Sequence, residues 1–121
     1  MKKSLIVLLF FCTNVFANKW IKATDVEDPI YVDVKGIKKN SEFVFYTSLS
    51  DTPLMGVNSV IVKNKVDCKK KKVIELNVAY YGQPMGKGPP VKEENNLKKE
   101  VFPKPLTTKY KVMKFACDNF R

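Results

Sequence analysis

The chain has 121 residues, 22 lysines and arginines against 12 acidic residues, and a formal net charge of +10. It contains no histidine, which excludes histidine general bases, Ser-His triads and the common zinc sites. Arg121 is the only arginine; bidentate base recognition favours arginine, so no specific nucleic-acid partner is expected.

Met1-Lys2-Lys3-Ser4 is a short basic start, followed by the apolar run Leu5 to Phe11 and then Val15-Phe16-Ala17. This is the layout of a secretory signal peptide over residues 1–17, with cleavage expected after Ala17. The apolar core is too short to span a bilayer as a permanent helix. Cys12 raises the alternative of a lipidated start. That processing wants a small residue just before the cysteine, and Phe11 stands there, so Cys12 is expected to leave with the leader. Residues 18–121 then suffice for one small domain, with no transmembrane span. Its cysteines, Cys68 and Cys117, allow one intramolecular bond in an oxidising compartment. Such a bond would close a loop of about 50 residues and contribute roughly 4 kcal/mol by chain entropy. Free thiols or an intermolecular bond are the alternatives.

In chain order, Lys19 to Ala23 alternates lysine with apolar residues and reads as a first strand, with Trp20 anchoring a core edge. Asp25 to Pro29 is an acidic break, Ile30 to Val34 a short β-prone run, and Gly36 to Ser41 a polar turn. From Glu42 to Leu49 the next strand places Phe43, Phe45, Thr47 and Leu49 on one face, and Val44, Tyr46 and Ser48 on the other. Asp51-Thr52-Pro53 and Gly56 bracket a loop. The following hairpin is the clearest element. Val60, Val62, Val66 and Cys68 point one way, against Ser59, Ile61, Lys63, Lys65 and Asp67. After Lys69-Lys70-Lys71-Lys72, residues Ile74, Leu76, Val78 and Tyr80 share an apolar face opposite Glu75, Asn77 and Tyr81.

Gly82 to Pro90 is too rich in glycine and proline for regular structure, and Glu93 to Asn96 reads as a polar loop. Leu97 to Phe102 adds an edge strand that Pro103 and Pro105 end. A threonine at 107 or 108 can cap a helix whose stripe is Leu106, Tyr110, Met113, Cys117 and Phe120. Thr108 to Met113 also alternates like a strand. On the helical reading Cys117 faces the sheet in the same direction as Cys68. The pattern is α+β: an antiparallel sheet with one wet side and a C-terminal helix packed on it.

Catalytic chemistry is sparse. Asp33, Asp67 and Glu75 have no spacing specific to a paired-carboxylate hydrolase. Gly82, Gly86 and Gly88 are surrounded by prolines and make no phosphate loop. No enzyme, cofactor or metal is expected. The charge run Lys69, Lys70, Lys71 and Lys72, helped by Lys63 and Lys65 on the wet face, is a candidate contact for a polyanion or acidic partner; ordinary solvated surface is the alternative.

Several of these features stand in one order: Trp20 near the start of the exported domain, Tyr31-Val32-Asp33 with Ile37, and Asp67-Cys68 before the basic turn. Then come Tyr80-Tyr81-Gly82, Met85-Gly86-Lys87-Gly88, a proline-containing approach, and Lys114-Phe115-Ala116-Cys117. In these the chain resembles the bacterial surface-adhesin E-like family. The resemblance implies a sheet of about six strands with a C-terminal helix, a Cys68–Cys117 bond and a homodimer. It also implies adhesion to host matrix and serum proteins such as laminin and vitronectin, with plasminogen as a further ligand. Acidic glycans are the other partner suggested by charge. The expectation is an exported, non-enzymatic binding module at the periplasm or surface of a Gram-negative bacterium, or secreted from it. The alternative is a periplasmic structural or envelope-stress protein with no host ligand.

Overall fold

The computed structural model describes residues 19–24, 29–51, 53 and 56–120. The predicted leader, Cys12, and most of the acidic break at 25–29 lie outside them. Three long strands form the centre: β4 (Phe43–Ser50), β5 (Ser59–Asp67) and β6 (Lys72–Tyr81). Around them lie β1 (Trp20–Lys22), β2 (Ile30–Asp33), β3 (Lys38–Asn40), β7 (Pro90–Glu94) and β8 (Lys99–Val101). The order is β1-β2-β4-β5-β6-β7, with β3 pairing β4 and β8 pairing β6. Every pair is antiparallel. The α+β architecture is therefore as expected, six ranks wide, but built from eight strands.

The two extra strands fall where the sequence reads as turn and loop. Lys38–Asn40 is exposed throughout, and Pro90–Glu94 carries only half-buried or exposed residues. Their backbone ladders to β4 and β6 define them, and a ladder leaves no hydrophobic alternation to read.

The face pattern of β6 also differs from expectation. Lys63 pairs with Asn77 but Asn64 pairs with Glu75, leaving Leu76 as an extra residue in a β-bulge. A one-residue slip moves every later side chain to the other face. Ile74 therefore shares a face with its partner Lys65, whereas Val78 and Tyr80 share the opposite face with Val62 and Val60. Glu75 turns to that second face too, beneath the helix.

The helix α1 (Thr108–Asp118) starts at Thr107, whose side-chain oxygen accepts the Tyr110 amide at 3.2 Å. This satisfies one of the amides a helix start leaves free. Helix wins over the strand-like alternation because Val112, Met113 and Ala116 then bury together. They pack on Val32, Ile37, Val44, Tyr46, Val66 and Val73, with Cys68, Tyr110, Phe115 and Cys117 at the margin. Each such side chain contributes roughly 1.5–3 kcal/mol on full burial. The expected stripe is corrected at its ends. Leu106 lies before the helix and is 90% exposed, and Phe120 lies beyond it, 42% exposed.

The other face of the sheet has a smaller cover, a 3-10 turn at Pro84–Gly86. It lies over Ile61 and Leu49. Ser59 holds it from beneath, donating to the Gln83 carbonyl at 2.6 Å and accepting the Gly86 amide at 2.8 Å. Asp51 accepts the Met85 amide at 2.7 Å, and Asn58 donates to the Gly82 carbonyl at 2.6 Å. No helix among the described residues is long and apolar enough to cross a membrane.

Candidate functional site

The β3–β4 turn and the β5–β6 turn lie at the same end of the sheet, because Phe43 pairs with both Asn40 and Asp67. The lysine run is forced into the second turn. Asp67 is buried, and its Oδ1 accepts the amides of Lys69 and Lys70, each at 3.1 Å. This is an Asx-type cap, and it directs the lysine side chains outward. Cys68 is bonded to Cys117 with a Cα–Cα distance of 6.1 Å, so the end of the helix is fixed beside the turn. Just past the helix, the Phe120 ring lies 5.2 Å from Lys39 Nζ, a cation–π distance.

These elements enclose a cleft of about 540 Å³ lined by Lys39, Glu42, Asp67, Lys69, Lys70 and Phe120, among others. Three lysines line it, Lys39 from β3 and Lys69 and Lys70 from the β5–β6 turn. A carboxylate, sulfate or phosphate placed there would meet charge-assisted donors. Asp67 is already engaged by the turn amides, which leaves Glu42 as the acidic counterweight.

The six lysines singled out in the sequence do not form one patch. Lys69 and Lys70 line the cleft. Lys71 lies across the disulfide, in a depression shared with Tyr110 and Lys114. Lys72 is paired with Glu100 at 3.5 Å. Lys63 and Lys65 are on the face away from the helix, where Lys65 Nζ stands 4.7 Å from the Phe43 ring centre. Lys39 is the member that sequence reasoning missed. Its signal was the Lys38-Lys39 pair within a stretch read as a turn, and its nearness to Lys69 depends on the register of three strands.

A second depression, of about 280 Å³, lies on the helix side between α1 and the sheet, lined by Tyr46, Asn64, Glu75, Lys109, Val62 and Val112 among others. Its polar groups are largely spent on one another. Lys109 pairs with Glu75 at 2.5 Å, and Asn64 Nδ2 donates to Ser48 Oγ at 3.3 Å and to the Val62 carbonyl at 3.1 Å. Burial, and secondarily the Glu75 charge, push the Tyr46 hydroxyl well above the ordinary tyrosine range. Farther along the same face, the Tyr80 hydroxyl donates to Glu94 at 3.0 Å, and this bond, with lesser desolvation and charge effects, raises its pKa.

The three carboxylates considered for hydrolysis are held apart, each in its own role. Asp33 accepts the Lys19 amide at 3.1 Å, Asp67 caps the lysine turn, and Glu75 anchors the helix. Among the described residues there is no group of three or more His, Cys, Asp or Glu side chains able to hold a metal ion.

Fold and surface together define a small sheet-and-helix domain, tied by one disulfide, with a basic cleft at one end. The surface-adhesin protein E family profile matches residues 20–118. The chain belongs to that family. Among solved structures it is similar to Haemophilus influenzae protein E, with a TM-score of 0.70 and 17% identity over 84% of this chain and 85% of that one. The selenomethionine form of that protein aligns with a TM-score of 0.70 and 17% identity, covering 87% of this chain and 95% of the other. Protein E from non-typeable Haemophilus influenzae aligns at 0.67 and 17% identity, over 83% and 76%. At such identities the likeness shows the fold. A search of curated proteins finds no match.

Proposed function

We propose that this chain is an exported, non-enzymatic binding module that contacts acidic partners through its lysine-rich end. Residues 1–17 are its leader and residues 18–121 its single domain. The observation that carries the reading is the convergence of Lys39, Lys69 and Lys70 on one cleft beside the Cys68–Cys117 bond. Membership of a surface-adhesin family supports placement at the cell surface with host matrix or serum proteins as the partner class, and the lysine charge supports acidic glycans. The separate structural duties of Asp33, Asp67 and Glu75 support a role without catalysis.

The test is retention on an immobilised sulfated glycan as salt is raised. Three lysine contacts give binding that falls steeply with ionic strength. The K39Q/K69Q/K70Q variant should lose most of it, while K63Q/K65Q, on the other face, should keep it. Equal loss in both variants would mean that diffuse net charge, and not the cleft, does the binding.

A further inference from the structure

The connector between β8 and α1 carries an exposed apolar tip that neither the core nor the cleft uses. Phe102 is 64% exposed and Leu106 is 90% exposed. Leu106 also holds a left-handed backbone, with φ +74°. A leucine rarely adopts that conformation, and no packing compensates for it here. The connector is braced all the same. Pro103 and Pro105 fix their own φ angles. Lys104 O accepts both the Thr107 amide at 3.2 Å and the Thr107 hydroxyl at 2.6 Å. The tip is thus presented by a stiff frame.

Its surroundings are cationic. Lys98, Lys99 and Lys104 are exposed on the same short stretch, and the nearby acid, Glu100, is paired with Lys72. Val101 pairs with Val73, the residue after Lys72, so the connector leaves the sheet at the end that carries the lysine turn. Exposed apolar side chains on a stretch that also carries exposed lysines suit the boundary between anionic headgroups and acyl chains. A residue 90% exposed projects outward; a lipid interface accepts such a tip, whereas a protein partner must supply a matching recess.

We infer that the Phe102–Leu106 connector is a contact for an anionic lipid surface. Phe102 and Leu106 enter the interface, and Lys98, Lys99 and Lys104 meet the headgroups. This goes beyond the glycan or protein contact proposed for the cleft and does not depend on it.

The experiment is flotation of the oxidised protein with phosphatidylglycerol vesicles and, in parallel, phosphatidylcholine vesicles at low salt. Binding to the anionic vesicles only, reduced roughly ten-fold or more by F102S/L106S, is the expected result. Both positions are exposed, so the double variant should fold, and a circular dichroism spectrum and thermal midpoint like the parent's report that it has. As a second measurement, a tryptophan introduced by Leu106→Trp should shift its emission to the blue on anionic vesicles, relative to the parent protein. The proposal is overturned if the parent does not float with phosphatidylglycerol, if the double variant binds equally well, or if emission at position 106 is unchanged. Absence of vesicle binding, together with a protein partner lost in F102S/L106S, would assign the tip to protein recognition instead.

Discussion

Cys68, at the start of the lysine turn, is bonded to Cys117, in the last turn of the helix, across 49 positions of sequence. The bond joins the two parts of the molecule that border the basic cleft. Without it, the end of α1 and Phe120 would be held only by non-covalent contacts, those of Val112, Met113 and Ala116 with the core and of Phe120 with Lys39. Replacing both cysteines by serine should therefore lower stability by about 2–5 kcal/mol. Chemical denaturation of parent and variant measures this, and equal midpoints would contradict it. The cleft should also loosen, so glycan retention should weaken even where the variant stays folded.

Glycines on the loops separate two kinds of cost. At Gly86 φ is +65° and a Cβ would sit 2.6 Å from Ile61 Cδ1, whereas at Gly56 φ is +84° and a Cβ would meet nothing within 4 Å. Gly56→Ala should cost about 1 kcal/mol from backbone strain alone. Gly86→Ala adds overpacking against Ile61, for a further 1–3 kcal/mol or so. Thermal unfolding of the two variants should rank them in that order. The reverse ranking would mean that the Pro84–Gly86 turn does not seat on Ile61.

Tyr46 gives a pH prediction. Its hydroxyl titrates near the usual value of about 10 in the unfolded chain, and burial with the Glu75 charge raises it in the folded one. Folding favours the neutral phenol, so this contribution is fully present below about pH 10 and is lost as pH climbs from there toward the folded value. In an ultraviolet titration Tyr46 should ionise above the ordinary tyrosine range, as alkaline unfolding sets in. Glu75→Gln should bring its titration lower while leaving it raised, because burial is the larger cause. A Tyr46 that ionises in the ordinary tyrosine range would sink this reading.

Surface placement predicts that protease added to intact cells removes the protein; cleavage after Ala17 separately predicts a mature chain that starts at Asn18, and a start at Cys12 would mean a lipidated anchor instead. A product protected in intact cells and released with the periplasm would instead favour the structural or envelope-stress role.

Much of the architecture was legible because period-two alternation in β4 and β5, and a capped helical stripe, are properties of side chains. The departures have physical causes. The bulge at Leu76 changes no local composition, yet it sends Ile74 and Val78 to opposite faces. Strands β3 and β7 exist through their ladders, with no buried face to announce them. Leu106 matched the helical spacing, but it follows Pro105 with a left-handed backbone and stays in solvent. At the candidate site, the importance of the lysine turn was readable from the charge run. Lys39 was not, because only the β3–β4–β5 register brings it to Lys69 and Lys70. The same register sends Lys63 and Lys65 away to the other face.

The most direct test of the cleft is to titrate a sulfated oligosaccharide into isotopically labelled protein and follow the backbone amides. The largest shifts should fall at Lys39, Lys69, Lys70 and Phe120 and should vanish as salt is raised. Shifts centred on Lys63 and Lys65, or no saturable shifts at low salt, would contradict this.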